Sequence, residues 1–170
     1  MRAYQNPSLL IMLFLGFAGL YGQQSIKASG ITFSYEINGD ALKCALTAPT
    51  QGWIGVGFNH NNSIVGSDLL LFHVVDGKPS SRDLYVKEVG NPINDKANGG
   101  SNTITLIDGM EDDSSTKVVF SIPLNSRDPN DFVHIIENEF WLILAYSVDD
   151  DFRHHSRVRK HLPLVLKKGP

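Results

Sequence analysis

The chain has 170 residues, a formal net charge of -3 and a single cysteine, Cys44. A weakly acidic balance with no dominant basic face argues against nucleic-acid binding, and a lone thiol forbids an internal disulfide. The length suits one ordinary domain that is stable by packing alone.

The N-terminal segment reads as a signal peptide over residues 1–22. Arg2 supplies the positive start, Leu9 to Ala18 is an uncharged apolar run, and Gly19 to Gln23 offers small and polar residues for cleavage. The run is short for a membrane span; an uncleaved N-terminal anchor is the alternative. On the signal reading the mature domain is exported, periplasmic or secreted, and keeps no membrane segment.

The rest reads as all-β. Ile31 to Ile37 alternates apolar and polar residues, the period of a half-buried strand. Asn38-Gly39-Asp40 is a hairpin turn signal, and Ala41 to Thr47 is the return strand. Trp53 to Phe58 is a strand interleaved with glycine, and Leu69 to Val75 is a continuous apolar strand. Arg82 to Val89 alternates again, while Gly90 to Ser101 reads as a polar, mobile loop. Thr103 to Ile107, Thr116 to Ile122 and Glu139 to Val148 are further strands, with Leu162 to Leu166 as the last. Ser126 to Phe132 is a loop or one helical turn. Many short strands with turns between them predict a sandwich or barrel.

The titratable residues are read one by one. His154 and His155 are adjacent, so on a strand at most one faces a given pocket. Taken alone, they are ordinary surface histidines beside carboxylates and arginines. His60 sits in a polar loop, His73 lies inside an apolar strand, and His134 and His161 have no motif around them. Asp68, after Gly66-Ser67, reads as a structural residue that accepts nearby backbone N–H groups. The runs Glu111 to Asp113 and Asp149 to Asp151 read as solvated turns, because consecutive carboxylates cannot all converge on one cation. Cys44 reads as a buried small hydrophobe. Nucleophile elbows, zinc-protease helices and phosphate loops are missing, so the chain is not expected to be an enzyme by itself.

Four segments, in this order, carry a resemblance: Gln51-Gly-Trp-Ile-Gly-Val-Gly-Phe58, Ile64-Val-Gly-Ser-Asp68, Val118-Val-Phe-Ser-Ile-Pro-Leu124, and Trp141 to Ser147 running on to His154-His155-Ser156. Together they resemble the DOMON domain over roughly residues 30–166. The resemblance implies an immunoglobulin-like antiparallel two-sheet β-sandwich that holds haem b, or in some members a sugar, against one sheet. It places His155 in the slot of an axial haem ligand, with His154 beside it. It also implies a methionine shortly before Gly66-Ser67-Asp68, where this chain has Ile64, which cannot ligate iron. Three outcomes follow: His60 swings in as a second histidine ligand, the iron is held through His155 alone, or the pocket takes a sugar or another small ligand without haem. With haem, the implied role is electron transfer to a separate redox partner, or redox sensing.

Overall fold

The computed structural model describes residues 23–169, so the expected signal segment lies outside the described residues. Two antiparallel sheets face each other. The five-stranded sheet has the order β1-β2-β3-β9-β8, and the six-stranded sheet the order β11-β10-β4-β5-β6-β7. The strands are β1 Gln24–Ala28, β2 Ile31–Asn38, β3 Ala41–Ala48, β4 Ile54–Asn59, β5 Asp68–Val75, β6 Lys78–Glu88, β7 Asn91–Asn94, β8 Thr105–Glu111, β9 Thr116–Pro123, β10 Glu139–Tyr146 and β11 Val158–Val165.

Period-two patterning builds the core. Ile31, Phe33 and Tyr35 of β2, Leu42, Cys44 and Leu46 of β3, and Val118, Phe120 and Ile122 of β9 are buried on one face of the five-stranded sheet. They meet Ile54, Val56 and Phe58 of β4, Leu70, Phe72 and Val74 of β5, and Phe140, Leu142 and Leu144 of β10. Phe72 and Phe120 join the two sheets with ring centroids 4.5 Å apart. Each large side chain buried this way contributes about 1.5–3 kcal/mol. Cys44 is fully within this core, and burial raises its thiol far above the ordinary range.

Turn chemistry fixes the hairpins. Gly39 adopts φ 64° at the first central position between β2 and β3, the conformation a type II′ turn requires. Asp76 and Gly77 both take positive φ, 51° and 70°, as a type I′ turn does between β5 and β6.

The observed elements differ from the predicted ones at three places. The fold begins before Gly30, because β1 pairs with β2 from Gln24↔Tyr35 to Ala28↔Ile31. The polar stretch Gly90 to Ser101 is not an unstructured loop. It forms the edge strand β7 and a 3-10 turn, Asp95–Asn98, whose Asn94 side chain accepts from Lys96 N. An edge strand tolerates Pro92, which has no N–H to give. Finally, β11 starts at Val158 and pairs with the whole of β10. Among the described residues no helix is long and apolar enough to cross a membrane.

His134, in the β9–β10 connection, is buried among phenylalanines. Its ring meets Phe58 edge-on at 4.6 Å, Phe132 at 5.1 Å and Phe140 at 5.9 Å. Among the described residues Nδ1 has no hydrogen-bond partner. Burial disfavours the imidazolium and lowers the pKa from 6.5 to about 4. The unfolded chain therefore binds a proton that the folded one refuses, and stability falls as pH drops from 6.5 toward 4. We expect this residue to cost about 3 kcal/mol at pH 4 relative to pH 7. Urea titrations of wild type and His134→Leu at both pH values test it: the difference between the two proteins should shrink or reverse by that amount on acidification. An unchanged difference refutes the assignment.

Candidate functional site

The six-stranded sheet is apolar on both faces. Its second face, turned away from the five-stranded sheet, carries Leu69 and Leu71 of β5, Leu84 and Val86 of β6, and Ile143 and Ala145 of β10. These residues floor a cavity of about 570 Å³, within the usual range for small-molecule sites. Gly55 and Gly57 of β4 point the same way. A Cβ on Gly55 would lie 2.6 Å from Leu71 Cδ2, and one on Gly57 would lie 3.3 Å from Ile143 Cβ. Missing side chains on β4 thus let the flanking leucines and Ile143 settle flat beneath the cavity.

Three loops wall it: the β4–β5 loop with Ile64, the β6–β7 turn from Val89 to Pro92, and the β10–β11 loop from Phe152 to Ser156. The β4–β5 loop is held from within by buried Asn59. Its amide donates to Ser63 O at 2.7 Å and Val65 O at 2.9 Å, and its Oδ1 accepts from Asn61 N at 3.2 Å. Gly66 N donates to Val86 O and Val86 N to Ser67 O, which ties the loop to β6. Ile64 is thereby fixed at the cavity wall.

The β10–β11 loop is tied to the strand entry at Trp53. Trp53 N donates to Asp149 O, Ser147 N donates to Trp53 O, and the indole Nε1 donates to His154 O at 3.2 Å. Gly52 lets the two backbones touch: a Cβ there would fall on the Asp149 amide and lie 2.7 Å from Ser147 O. Phe152 folds back over the sheet, stacked on His73 with centroids 4.4 Å apart and lying under the Arg82 guanidinium at 5.2 Å. His73 is satisfied structurally, its Nδ1 lying 2.9 Å from Asp150 O.

His154, His155 and Ile64 all line the cavity. The structure does not bring His60 to them. His60 packs on Phe132, with centroids 4.6 Å apart, in a separate small groove. His154 Nδ1 faces Asp149 Oδ1 at 3.3 Å, which leaves its Nε2 free. Both histidines are exposed. Arg82, Arg153 and Arg159 make the rim basic. Arg153 is already engaged: it holds Asp151 through its Nε and Nη2, and that hydrogen bonding lowers the Asp151 carboxyl to about 2. Arg82 and Arg159 have no carboxylate within ion-pair distance among the described residues. The arrangement is an apolar cavity ringed by imidazoles and guanidiniums, suited to a mostly apolar molecule bearing acid groups. The sequence pattern had not pointed to Arg82 or Arg159, which flank one cavity from β6 and β11 only when both strands join the same sheet.

Residues 27–147 match the DOMON domain family. The chain belongs to that family. The human protein "Putative DBH-like monooxygenase protein 2" is 28% identical over 124 residues, which is 72% of this chain and 24% of the human one. The mouse "DBH-like monooxygenase protein 1" is 27% identical over 112 residues, 66% of this chain and 18% of the mouse one. This DOMON domain therefore spans a quarter or less of the length of those relatives. Two solved structures share its fold. The cytochrome domain of Myriococcum thermophilum cellobiose dehydrogenase superposes with a TM-score of 0.61 at 8% identity, over 85% of this chain and 82% of the other. The cytochrome b domain of Coprinopsis cinerea pyranose dehydrogenase gives 0.59 at 12% identity, over 79% and 75%.

Gly52 is the most exacting position around the site. Gly52→Ala should cost about 2–3 kcal/mol, because backbone rather than a flexible side chain must move. Hydrogen exchange should show the lost protection concentrated at Trp53 and Ser147, whose amides hold the β10–β11 loop to β4. A variant as stable and as protected as wild type would refute this.

Proposed function

We propose that this DOMON domain is an exported module that binds haem b in the cavity on the outer face of the six-stranded sheet and serves in electron transfer or redox sensing. The observation that carries the reading is the composition of that cavity: an apolar floor without ionisable groups, and a mouth holding His154, His155, Arg82 and Arg159. The likeness to two cytochrome domains supports the same fold for the module.

Haem supplies one-electron chemistry when bound. The residues of this chain do the rest. His155 would hold the iron, since it lines the cavity and its ring is free of any hydrogen-bond partner among the described residues. His154 stands beside it, oriented by Asp149 and by the Trp53 indole. Arg82 and Arg159 attract the propionate carboxylates. Leu69, Leu71, Leu84 and Val86 exclude water from the macrocycle and so set the local dielectric. Ile64 offers no lone pair, and His60 is packed on Phe132. Neither Ile64 nor His60 would therefore hold the iron beside His155. The domain hands electrons to a separate redox protein and is not itself the catalyst.

Ile64 favours a second reading, in which the same slot takes a sugar or another small ligand without haem. Absorbance spectra of the exported protein, oxidised and dithionite-reduced, with haemin titrated into the apoprotein, separate the two. Saturable uptake with a Soret band that shifts on reduction is expected. His155→Ala should lower haemin affinity at least tenfold, and His154→Ala by less. If His154→Ala has the larger effect, the ligand assignment moves to His154. A protein that never takes up haemin saturably would leave the non-haem module as the function.

A further inference from the structure

The β4–β5 loop carries a triplet that the cavity does not use. Asn61-Asn62-Ser63 has the form Asn-x-Ser, the acceptor pattern for N-linked glycans. The chain holds one other such triplet, Asn6-Pro7-Ser8, where the central proline breaks the pattern. That triplet also falls in the segment expected to be removed on export.

The loop gives its three asparagines different tasks. Asn59 is 4% exposed, and its side chain makes the three bonds that fold the loop. Asn62 Oδ1 lies 3.0 Å from His161 Nδ1, which ties the loop to β11. Asn61 is exposed, and its side-chain amide has no hydrogen-bond partner among the described residues. Only its backbone serves the loop. Asn61 N donates to Asn59 Oδ1 at 3.2 Å, and Asn61 O accepts from Ser63 N at 2.7 Å. Ser63 is held in the same way, its O accepting from Asn59 Nδ2 at 2.7 Å and its Oγ from Val65 N at 3.0 Å. Every tether of the loop therefore survives substitution at Asn61 Nδ2.

The placement also spares the cavity. Ile64 lines it, whereas Asn61 does not. A glycan is bulky and strongly hydrated, so it needs an exposed anchor on the surface. On Asn61 it would stand in solvent beside the cavity wall. On Asn59 the same group would destroy the loop.

We propose that Asn61 is an N-glycosylation site, modified as the chain is exported and before the loop closes. The proposal rests on the exported reading of the module, with export through a glycosylating secretory route. The donor is an oligosaccharide joined through its C1 to a lipid diphosphate. The C1–O bond to the diphosphate breaks and a C1–N bond to Asn61 Nδ2 forms. The lipid diphosphate leaves with the electron pair of the broken bond, and the proton lost by Nδ2 neutralises it. Nothing is oxidised or reduced. The Ser63 hydroxyl completes the pattern that the transferring enzyme reads.

The test is to express the full chain in human secretory cells, recover it from the medium and treat it with peptide N-glycosidase. A slow-migrating species should collapse to the size of the unmodified chain, and release should leave aspartate at position 61 in peptide mass spectra. Asn61→Gln and Ser63→Ala should lose the slow species. Asn62→Gln and Ser63→Thr should keep it, because both preserve the pattern. Secreted wild type without a glycan at Asn61 overturns the site and leaves export standing. A slow species that persists in Asn61→Gln overturns the assignment to Asn61. A chain retained in the cells and unmodified counts against export itself. The full chain behind an added secretory leader then decides the site separately: secretion without a glycan at Asn61 overturns it.

Discussion

The organising constraint is that the six-stranded sheet must be dry on both faces. Every residue of β4 is buried. Ile54, Val56 and Phe58 belong to the sandwich core, while Gly55 and Gly57 face the other way. A sheet face left apolar and open is a liability in water, so the outer face needs a cover. The protein supplies three loops and a slot for a ligand, and the rest of the site follows from how those loops are pinned. The glycines of β4 matter because they set how deeply Leu71 and Ile143 can settle, and hence how flat the floor is.

With no disulfide available, the loops are fixed by backbone-directed hydrogen bonds. One buried amide, Asn59, organises the β4–β5 loop through three bonds. The β10–β11 loop depends on Trp53, whose backbone pairs with Ser147 and Asp149 and whose indole holds His154 O. Thr50 adds a second tether, with its hydroxyl donating to Ser147 O and accepting from Gly52 N. Such bonds are modest singly, at about 0.5–1.5 kcal/mol. Because each satisfies a backbone group that the loop would otherwise bury unpaired, they set a unique loop geometry rather than merely adding stability.

The alternation of β2, β3 and β9 was legible because half-buried strands write their period into the sequence. The paired histidines and Ile64 were legible through the order of the DOMON segments. Four features were not. The strand β1 lacks a strong pattern, its apolar residues Ile26 and Ala28 being only partly buried. The stretch Gly90 to Ser101 has loop composition yet gains order from pairing with β6 and from the Asn94 cap. His60 is close to Ile64 in sequence, but the turn organised by Asn59 sends it to Phe132 instead. Asp68 was read as bonding nearby backbone, yet its partner is Phe132 N, 64 residues away. Contacts of that separation leave no local signature.

The cavity floor and the buried carboxylates of Asp68 and Asp83 share strands. Asp68 precedes Leu69 and Asp83 precedes Leu84, and adjacent strand residues point to opposite faces. The carboxylates therefore lie on the core side of the same backbone whose leucines floor the cavity, with Leu69 registered against Leu84. The same carboxylates tie distant segments to the sheet: Asp68 accepts from Phe132 N in the β9–β10 connection, and Asp83 accepts from Thr103 N just before β8. Close-packed interiors transmit such constraints rather than absorbing them. The placement of the floor residues is thus set by the packing and hydrogen bonding of the far side of the sheet as well as by the apolar residues that compose it.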